Sequence, residues 1–350
     1  MKTTALLSAY SGAPLIPALI NRRDLRDHDV DIRVSFCGVC HTDLHALHAP
    51  DSGAFPLVPG HEFVGEVVAI GELVTEFSPG DPVAVGNIVD SCRTCRMCLR
   101  GQENFCEEFP TLTYGGKDRF DGSTTQGAFA GRYVVRDAFV YHRPATLDPA
   151  AVAPLMCAGV TVWEPLRTAG VGKGTRLGVV GLGGLGHLAV KLGAALGAEV
   201  TVFTTSPGKA EDARTLGAAN VVVSTDVEAM RSWRNSLDVV IDTVAVAHDL
   251  APYLAVLDLD GILYSLGYLG PVTVDTIDLL VGRKRLASAG SGGHRFTQDL
   301  LDFCRENGLV ADVEILPAAD VAAALERLGN NDVRYRFVLD LREMDAAATA

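Results

Sequence analysis

VVGLGGLGHLAV, residues 179–190, decides the fold. Gly181, Gly183 and Gly186 stand in a G-x-G-x-x-G pattern, directly after the apolar run Leu177 to Val180 and before a stretch of helical periodicity. In a strand–turn–helix unit each glycine has a task. Gly181 permits the tight turn, Gly183 lets the backbone approach a pyrophosphate, and Gly186 lets the helix pack on the strand. The helix N-terminus, reached through Gly184 and Leu185, then offers unpaired N–H groups to the anion. The pattern predicts a dinucleotide site.

Downstream the same rhythm repeats. RLGVVG, EVTVFTT, NVVVS, DVVIDTV and GILYSLG are short apolar runs, and LGHLAVKLGAALG, PGKAEDARTLG and LAPYLAVLD between them have helical spacing. Strands alternating with helices predict a doubly wound parallel α/β sheet. The end of the second strand bears on the cofactor. An NAD site places a carboxylate about 20 residues beyond the glycines, to bond the ribose 2′-hydroxyl. Here Thr204, Thr205 and Ser206 are followed by Lys209, with no carboxylate among them. Three hydroxyls and an ammonium suit a 2′-phosphate. One or two charge-assisted hydrogen bonds of roughly 1.5–3 kcal/mol give a tenfold to several-hundredfold preference for NADP(H).

Upstream the pattern differs. DVDIRVSFCG, HEFVGEVVAIG, PVAVG and AFAGRYVV are β-rich runs punctuated by glycine and proline. Within this half Cys92, Cys95, Cys98 and Cys106 follow C-x2-C-x2-C-x7-C. Two-residue spacers let thiolates converge, and four at about 2.3 Å close a tetrahedral zinc shell with no open position, a structural site. An iron–sulfur cluster also takes four thiolates and stays open on spacing alone. Two further segments, CGVCHTDLH (37–45) and PGHE (59–62), carry thiol and imidazole in glycine-flanked turns, and LMCAGVTVW (155–163) adds Cys157. One Cys, one His and another Cys from separate segments make a three-ligand zinc site with an open fourth position. Spacing alone does not choose between Cys37 and Cys40, which also form a C-x-x-C pair.

Composition narrows the remainder. The chain has 350 residues, 48% of them hydrophobic and 21% charged, and its 30 basic against 43 acidic residues give a net charge of −13. Length predicts about two domains of roughly 150 residues. The acidic balance argues against nucleic-acid and polybasic membrane-surface partners. No apolar run reaches the roughly 18 residues of a membrane span, and the N-terminus lacks the compact apolar centre of a signal peptide. A cytoplasmic protein is expected, in which eight cysteines are metal-ligand candidates rather than four disulfides.

Taken together, CGVCHTDLH, PGHE, the four-cysteine loop, LMCAGVTVW, GLGGLG and TTSPGK resemble the zinc-dependent medium-chain dehydrogenases, and most of all their cinnamyl-alcohol-dehydrogenase branch, which includes bacterial NADPH-dependent aldehyde reductases. The resemblance runs along essentially the whole chain. It implies a mostly-β GroES-like catalytic domain over 1–150, with a structural zinc lobe at about 90–110. A Rossmann cofactor domain follows over 151–286, and 287–350 returns to the catalytic domain. It implies two zinc ions per chain, with Cys40, His61 and Cys157 as catalytic ligands and Cys92, Cys95, Cys98 and Cys106 as structural ones. Asp43 matches the carboxylate that orients the ligand histidine, and Glu62 a residue that approaches the metal in some states. Thr42 and His45 match a proton relay. His41 and Thr161 join the glycine loop as cofactor contacts, and Phe55, Leu57 and Trp163 match pocket-lining positions. The implied reaction is reversible reduction of aromatic or medium aliphatic aldehydes to primary alcohols with NADPH, by a homodimer. An NAD-preferring alcohol or polyol dehydrogenase is the alternative among enzymes, and a redox sensor switched by Cys37 and Cys40 the alternative outside them.

Overall fold

A computed structural model describes residues 1–49 and 55–345. The chain divides into two compact units, Met1–Cys157 with Ser291–Ala350, and Ala158–Gly290.

The second unit is built on a six-stranded sheet. Numbered along the chain, its strands Arg176–Val180, Glu199–Thr204, Asn220–Val223, Leu237–Asp242, Leu257–Ser265 and Arg285–Ser288 lie in the spatial order 3-2-1-4-5-6. All neighbours are parallel. This is the doubly wound Rossmann order, and its switch point lies between the first and fourth strands. The strand interiors are runs of buried Val, Leu and Ile, as a sheet covered on both faces requires. Helix Gly186–Ala195 lies close against the sheet because Gly193 has no side chain; a Cβ there would run into Leu177. Beneath the second strand Phe203 is fully buried, with the rings of Tyr253 and Trp233 edge-on at 6.0 and 6.4 Å.

The first unit has a seven-stranded sheet around the long strand Asp29–Val39, which pairs antiparallel with Phe63–Ile70, Arg132–Arg136 and Arg336–Asp340. The last of these, YRFVLDL in the sequence, brings Val313–Pro317 with it as a parallel neighbour. The tail of the chain therefore completes the sheet that the N-terminal half begins. Its apolar face packs Ile32, Val34, Phe63, Phe129, Phe337 and Leu339 out of solvent. The long strand ends at Val39, and helix His41–Leu47 starts immediately after Cys40. The two-strand ladder Ile88–Asp90 with Thr111–Leu112 flanks the cysteine loop.

No helix among the described residues is long and apolar enough to cross a membrane.

Candidate active site and metal centres

Cys40 occupies the junction between strand and helix. It is the helix N-cap, with extended backbone (φ −116°, ψ 156°), and its N–H donates to Asp43 Oδ2 at 2.9 Å. Asp43, three residues on, thus caps the helix that carries it. Its other oxygen, Oδ1, accepts the Gly60 N–H at 2.9 Å and pairs with His61 Nδ1 at 3.0 Å. Asp43 and His61 are 0% and 1% exposed. One carboxylate therefore ties the CGVCHTD turn to the PGHE turn. A carboxylate only accepts, so His61 carries its proton on Nδ1 and presents the Nε2 lone pair, which stands 3.3 Å from Cys157 Sγ. The ligand atoms of Cys40, His61 and Cys157 lie within 4.8 Å of one another.

The electrostatics suit a cation. Burial works against a charged His61, but the charge and hydrogen bond of Asp43 outweigh it and hold the imidazole well above its ordinary range. The neighbouring Cys157 thiol draws Cys40 well below the usual thiol range, helped by Arg336 and His61 against burial. Cys157 is driven up by Cys40 and by burial. Two sulfurs compete for one proton in a dry site, and a divalent ion removes the conflict by taking both as thiolates.

Glu62 enters beside this group. A Cβ at Gly38 would collide with its carboxylate, so the strand leaves room for it only with glycine at that position. Glu62 Oε1 pairs with the Arg336 guanidinium from strand Arg336–Asp340, both side chains buried, and Oε2 has no partner among the described residues. Burial pushes the Glu62 carboxyl up to about 7 against the pull of Arg336. Thr42 Oγ1 stands 3.7 Å from Cys40 Sγ and is solvent-exposed. His45 is exposed one turn further on, its ring 6.4 Å from that of His41, which burial draws below its ordinary pKa.

Sequence reading names neither Arg336 nor Tyr114. Tyr114 lies edge-on to the His61 ring with centroids 5.7 Å apart, in an apolar cluster with Leu47 and Leu57. The sequence signal for Arg336 is a guanidinium at the head of the apolar run Phe337–Leu339. Of the expected pocket residues, Leu57 is fully buried in that cluster and Phe55 is packed against it. Trp163 lies in the other unit, fully buried in helix Ala158–Thr168 beneath the Arg167 guanidinium at 5.3 Å.

The four-cysteine loop closes on itself. Sγ of Cys98 lies 3.8 Å from that of Cys92 and 3.5 Å from that of Cys95, and all four sulfurs fall within 4.8 Å. A tetrahedron with bonds of about 2.3 Å has edges of about 3.8 Å, so one zinc ion fits, whereas a cluster of several irons needs its thiolates spread wider. Backbone N–H groups of Thr94 and Cys95 lower Cys92 to about 6, and burial raises Cys98 to about 12 beside the Ser91 hydroxyl. All eight cysteines are free thiols.

In the other unit the glycine turn has the form its sequence implies. Gly181 sits at φ +86°, and a Cβ at Gly186 would strike the Gly181 carbonyl. No atom lies within 4 Å of the Cβ position of Gly183, which leaves open space over the turn. Lys209 Nζ donates to Leu182 O at 3.0 Å, so the loop after the second strand is tied to the turn. Thr205 and Ser206 are exposed beside it, and buried Thr204 accepts the Ser206 N–H at 3.1 Å. Thr161 is buried in helix Ala158–Thr168.

Residues 26–145 match the alcohol dehydrogenase GroES-like domain, and residues 184–306 match the zinc-binding dehydrogenase domain. A probable cinnamyl alcohol dehydrogenase of rice is 46% identical over 340 residues, covering 96% of this chain and 94% of its own. The chain belongs to the zinc-dependent medium-chain alcohol dehydrogenase family. Other members of this family are the NADP-dependent alcohol dehydrogenase C of Mycobacterium bovis, 42% identical over 97% of this chain and 99% of its own, and the aldehyde reductase YahK of Escherichia coli, 42% identical over 98% and 99%. Among solved structures, a cinnamyl alcohol dehydrogenase from Sorghum bicolor superposes with a TM-score of 0.93 at 43% identity, over 97% of this chain and 98% of that one. That of Helicobacter pylori, in complex with NADP(H), gives 0.90 at 30% over 98% and 99%.

Proposed function

We propose that this dehydrogenase reduces aldehydes to primary alcohols, reversibly, with NADPH, and that Cys40, His61 and Cys157 hold the catalytic zinc. The observation that carries the reading is the Asp43–His61 bond, which fixes the imidazole with its lone pair toward the two sulfurs. Bound zinc supplies Lewis acidity to the carbonyl oxygen and NADPH supplies the hydride. The chain's own residues do the rest. Asp43 holds the ligand histidine in one tautomer. Thr42 hands its hydroxyl proton to the oxygen of the product, and the exposed imidazole of His45, one turn further on, passes a replacement from solvent. One aldehyde, one NADPH and one proton give one alcohol and one NADP⁺. In the other direction the same groups oxidise the alcohol.

NADP(H) rather than NAD(H) follows from the loop after Thr204. Its two exposed hydroxyls and Lys209 face no carboxylate in the stretch 204–210, and the Mycobacterium bovis relative, at 42% identity, is named as NADP-dependent, while the Helicobacter pylori structure, at 30%, is a complex with NADP(H). Cys92, Cys95, Cys98 and Cys106 are assigned to a structural zinc, and the eight free thiols fit a reducing cytosol. Phe55, partly buried against the apolar cluster of Leu47, Leu57 and Tyr114, favours aromatic or medium aliphatic aldehydes. A homodimer is supported by the outer sheet strand Arg285–Ser288, which among the described residues has a neighbour on one side only, and by exposed Ile277, Leu280 and Val281 in the preceding segment.

The test is a panel of aldehydes assayed with NADPH and NADH on protein whose metal content is measured. Two zinc per chain and faster turnover with NADPH uphold the reading. One zinc or none, or a preference for NADH, overturns its metal or its nucleotide part respectively.

A further inference from the structure

Asp242 ends the fourth strand of the Rossmann sheet beside Val180, the last residue before the glycine turn, and therefore lies at the switch point. The next residue grips the turn. Thr243 donates its N–H to Val180 O at 3.0 Å and its hydroxyl to the same oxygen at 2.7 Å. A Cβ at either Gly181 or Gly186 would come within 3.1 Å of Thr243 Oγ1. Thr243 and Val244 are thus seated on the proposed nucleotide turn, and the segment 245–248 continues from them.

The far end of this segment is held by His248. Its Nδ1 lies 3.0 Å from Val246 O, and a carbonyl only accepts, so Nδ1 carries a proton. Nε2 then faces Asp242 Oδ2 at 3.4 Å, and neither atom has a hydrogen-bond partner among the described residues. The Asp242 side chain is fully buried, and Oδ1 already accepts the Val244 N–H at 3.1 Å. A neutral imidazole and an ionised carboxylate would oppose lone pair to lone pair in a dry site. One additional proton between them makes the contact attractive.

We propose that His248 is a positioning residue which, by sharing one proton with Asp242, closes the segment 243–248 and so holds Thr243 and Val244 on the glycine turn, making nucleotide affinity fall as pH rises. The inference rests on the nucleotide reading of that turn. The surroundings favour the proton. Tyr253, edge-on to His248 at 5.8 Å, comes from helix Ala251–Val256, Asp249 is next in the chain, and Asp275 and Asp278 line a depression of about 550 Å³ with His248. Among the described residues, no lysine or arginine lines that depression. Burial also raises the Asp242 carboxyl, with the Val244 N–H, His248 and Ser265 opposing.

The two conservative substitutions give the test. Asp242→Asn places an amide donor against the Nε2 lone pair, and His248→Gln places one against the carboxylate, so either satisfies the contact without the shared proton. NADPH affinity is measured by fluorescence on the zinc-loaded enzyme between about pH 6 and about pH 9. The wild type is expected to weaken roughly fivefold or more relative to both variants over that range. The 2′-phosphate of NADPH titrates near the lower limit and cancels in the comparison. Equal pH dependence in all three proteins overturns the inference. The imidazole nitrogen spectrum of His248 in the unliganded chain separates this inference from the nucleotide reading. A ring doubly protonated in the wild type at a pH where that of Asp242→Asn is neutral upholds the pair even if NADPH fails to bind. A neutral ring throughout removes it.

Discussion

Asp43 pairs with His61 Nδ1 at 3.0 Å, and the same carboxylate accepts the N–H of Cys40, so one buried side chain fixes the orientation of one proposed zinc ligand and the backbone of another. Asp43→Asn offers an amide where a pure acceptor is needed. The imidazole then has reason to put its proton on Nε2, facing the metal. Loss of such a partner lowers metal affinity or activity by about 10–100-fold. The variant is expected to keep the structural zinc, lose part of the catalytic zinc, and fall in kcat by that factor. Metal analysis with steady-state kinetics checks it; full zinc content with unchanged kcat contradicts the assignment.

Glu62 and Arg336 are both buried and joined, 274 positions apart in the chain. Removing one partner strands the other in a dry site, which costs about 3–5 kcal/mol for a buried pair. Arg336→Leu should therefore lower the denaturation midpoint markedly, while Glu62→Gln, which keeps a hydrogen-bond acceptor for the guanidinium, should cost less. Urea unfolding of the two variants orders them, and the reverse order contradicts the argument.

Legibility followed sequence separation. The glycine turn and the four-cysteine loop each lie within about twenty residues, so spacing alone specifies their geometry, down to the turn at Gly181 and the converging sulfurs. The Cys40, His61 and Cys157 group is assembled by the sheet from three segments, and spacing could not choose between Cys37 and Cys40. The fold separates them. Cys37 lies within strand Asp29–Val39 as fully buried core, its thiol raised by burial, whereas Cys40 stands just past the strand end where the backbone turns into a helix. Arg336 and Tyr114 were not legible, because their significance is a neighbour far away in the chain. The same holds for the oxygen of Asp242, whose strand is readable as an apolar run but whose contact with His248 is not.

Asp118 links the loop after the cysteine lobe to the segment before the long strand, through Arg26 at 2.8 Å. Burial acts to raise this carboxyl, but the bond to Arg26 and the N–H groups of Phe120 and Asp121 outweigh it and leave it below the ordinary range. A depressed carboxyl contributes stability that is complete above the unfolded value of about 3.9 and is lost as pH falls through the lower folded value. Arg26→Leu removes the largest opposing contact, so its acid-unfolding midpoint should lie at higher pH than that of the wild type. Circular dichroism against pH measures the shift, and coincident midpoints contradict it.

The cysteine lobe has a consequence beyond its own fold. Glu103, within it, accepts the N–H of His294 at 2.7 Å at the start of helix His294–Asn307, and His294 stacks on Tyr141 at 5.0 Å. Cys98→Ser removes one of the four sulfurs, the one whose thiol burial raises. Zinc content should fall to about one per chain, and the amide of His294 should exchange faster with solvent than in the wild type. Unchanged exchange at that amide would mean that the lobe does not anchor the helix.

Lys209 spans from the loop after the second strand to Leu182 O at 3.0 Å, spending one of three N–H donors and leaving two for a ligand. If those two meet a 2′-phosphate, Lys209→Ala loses a charge-assisted contact of roughly 1.5–3 kcal/mol, about 10- to 150-fold in NADPH affinity. NADH has no 2′-phosphate, so its affinity should change only by what the Leu182 tether contributes. The ratio of the two effects therefore isolates the phosphate from the tether. Lys209→Met, similar in length and uncharged, should repeat the selective loss with the loop packing kept. Dissociation constants for both nucleotides decide the matter: equal weakening of NADPH and NADH would assign Lys209 to the tether alone and leave the 2′-phosphate to Thr205 and Ser206.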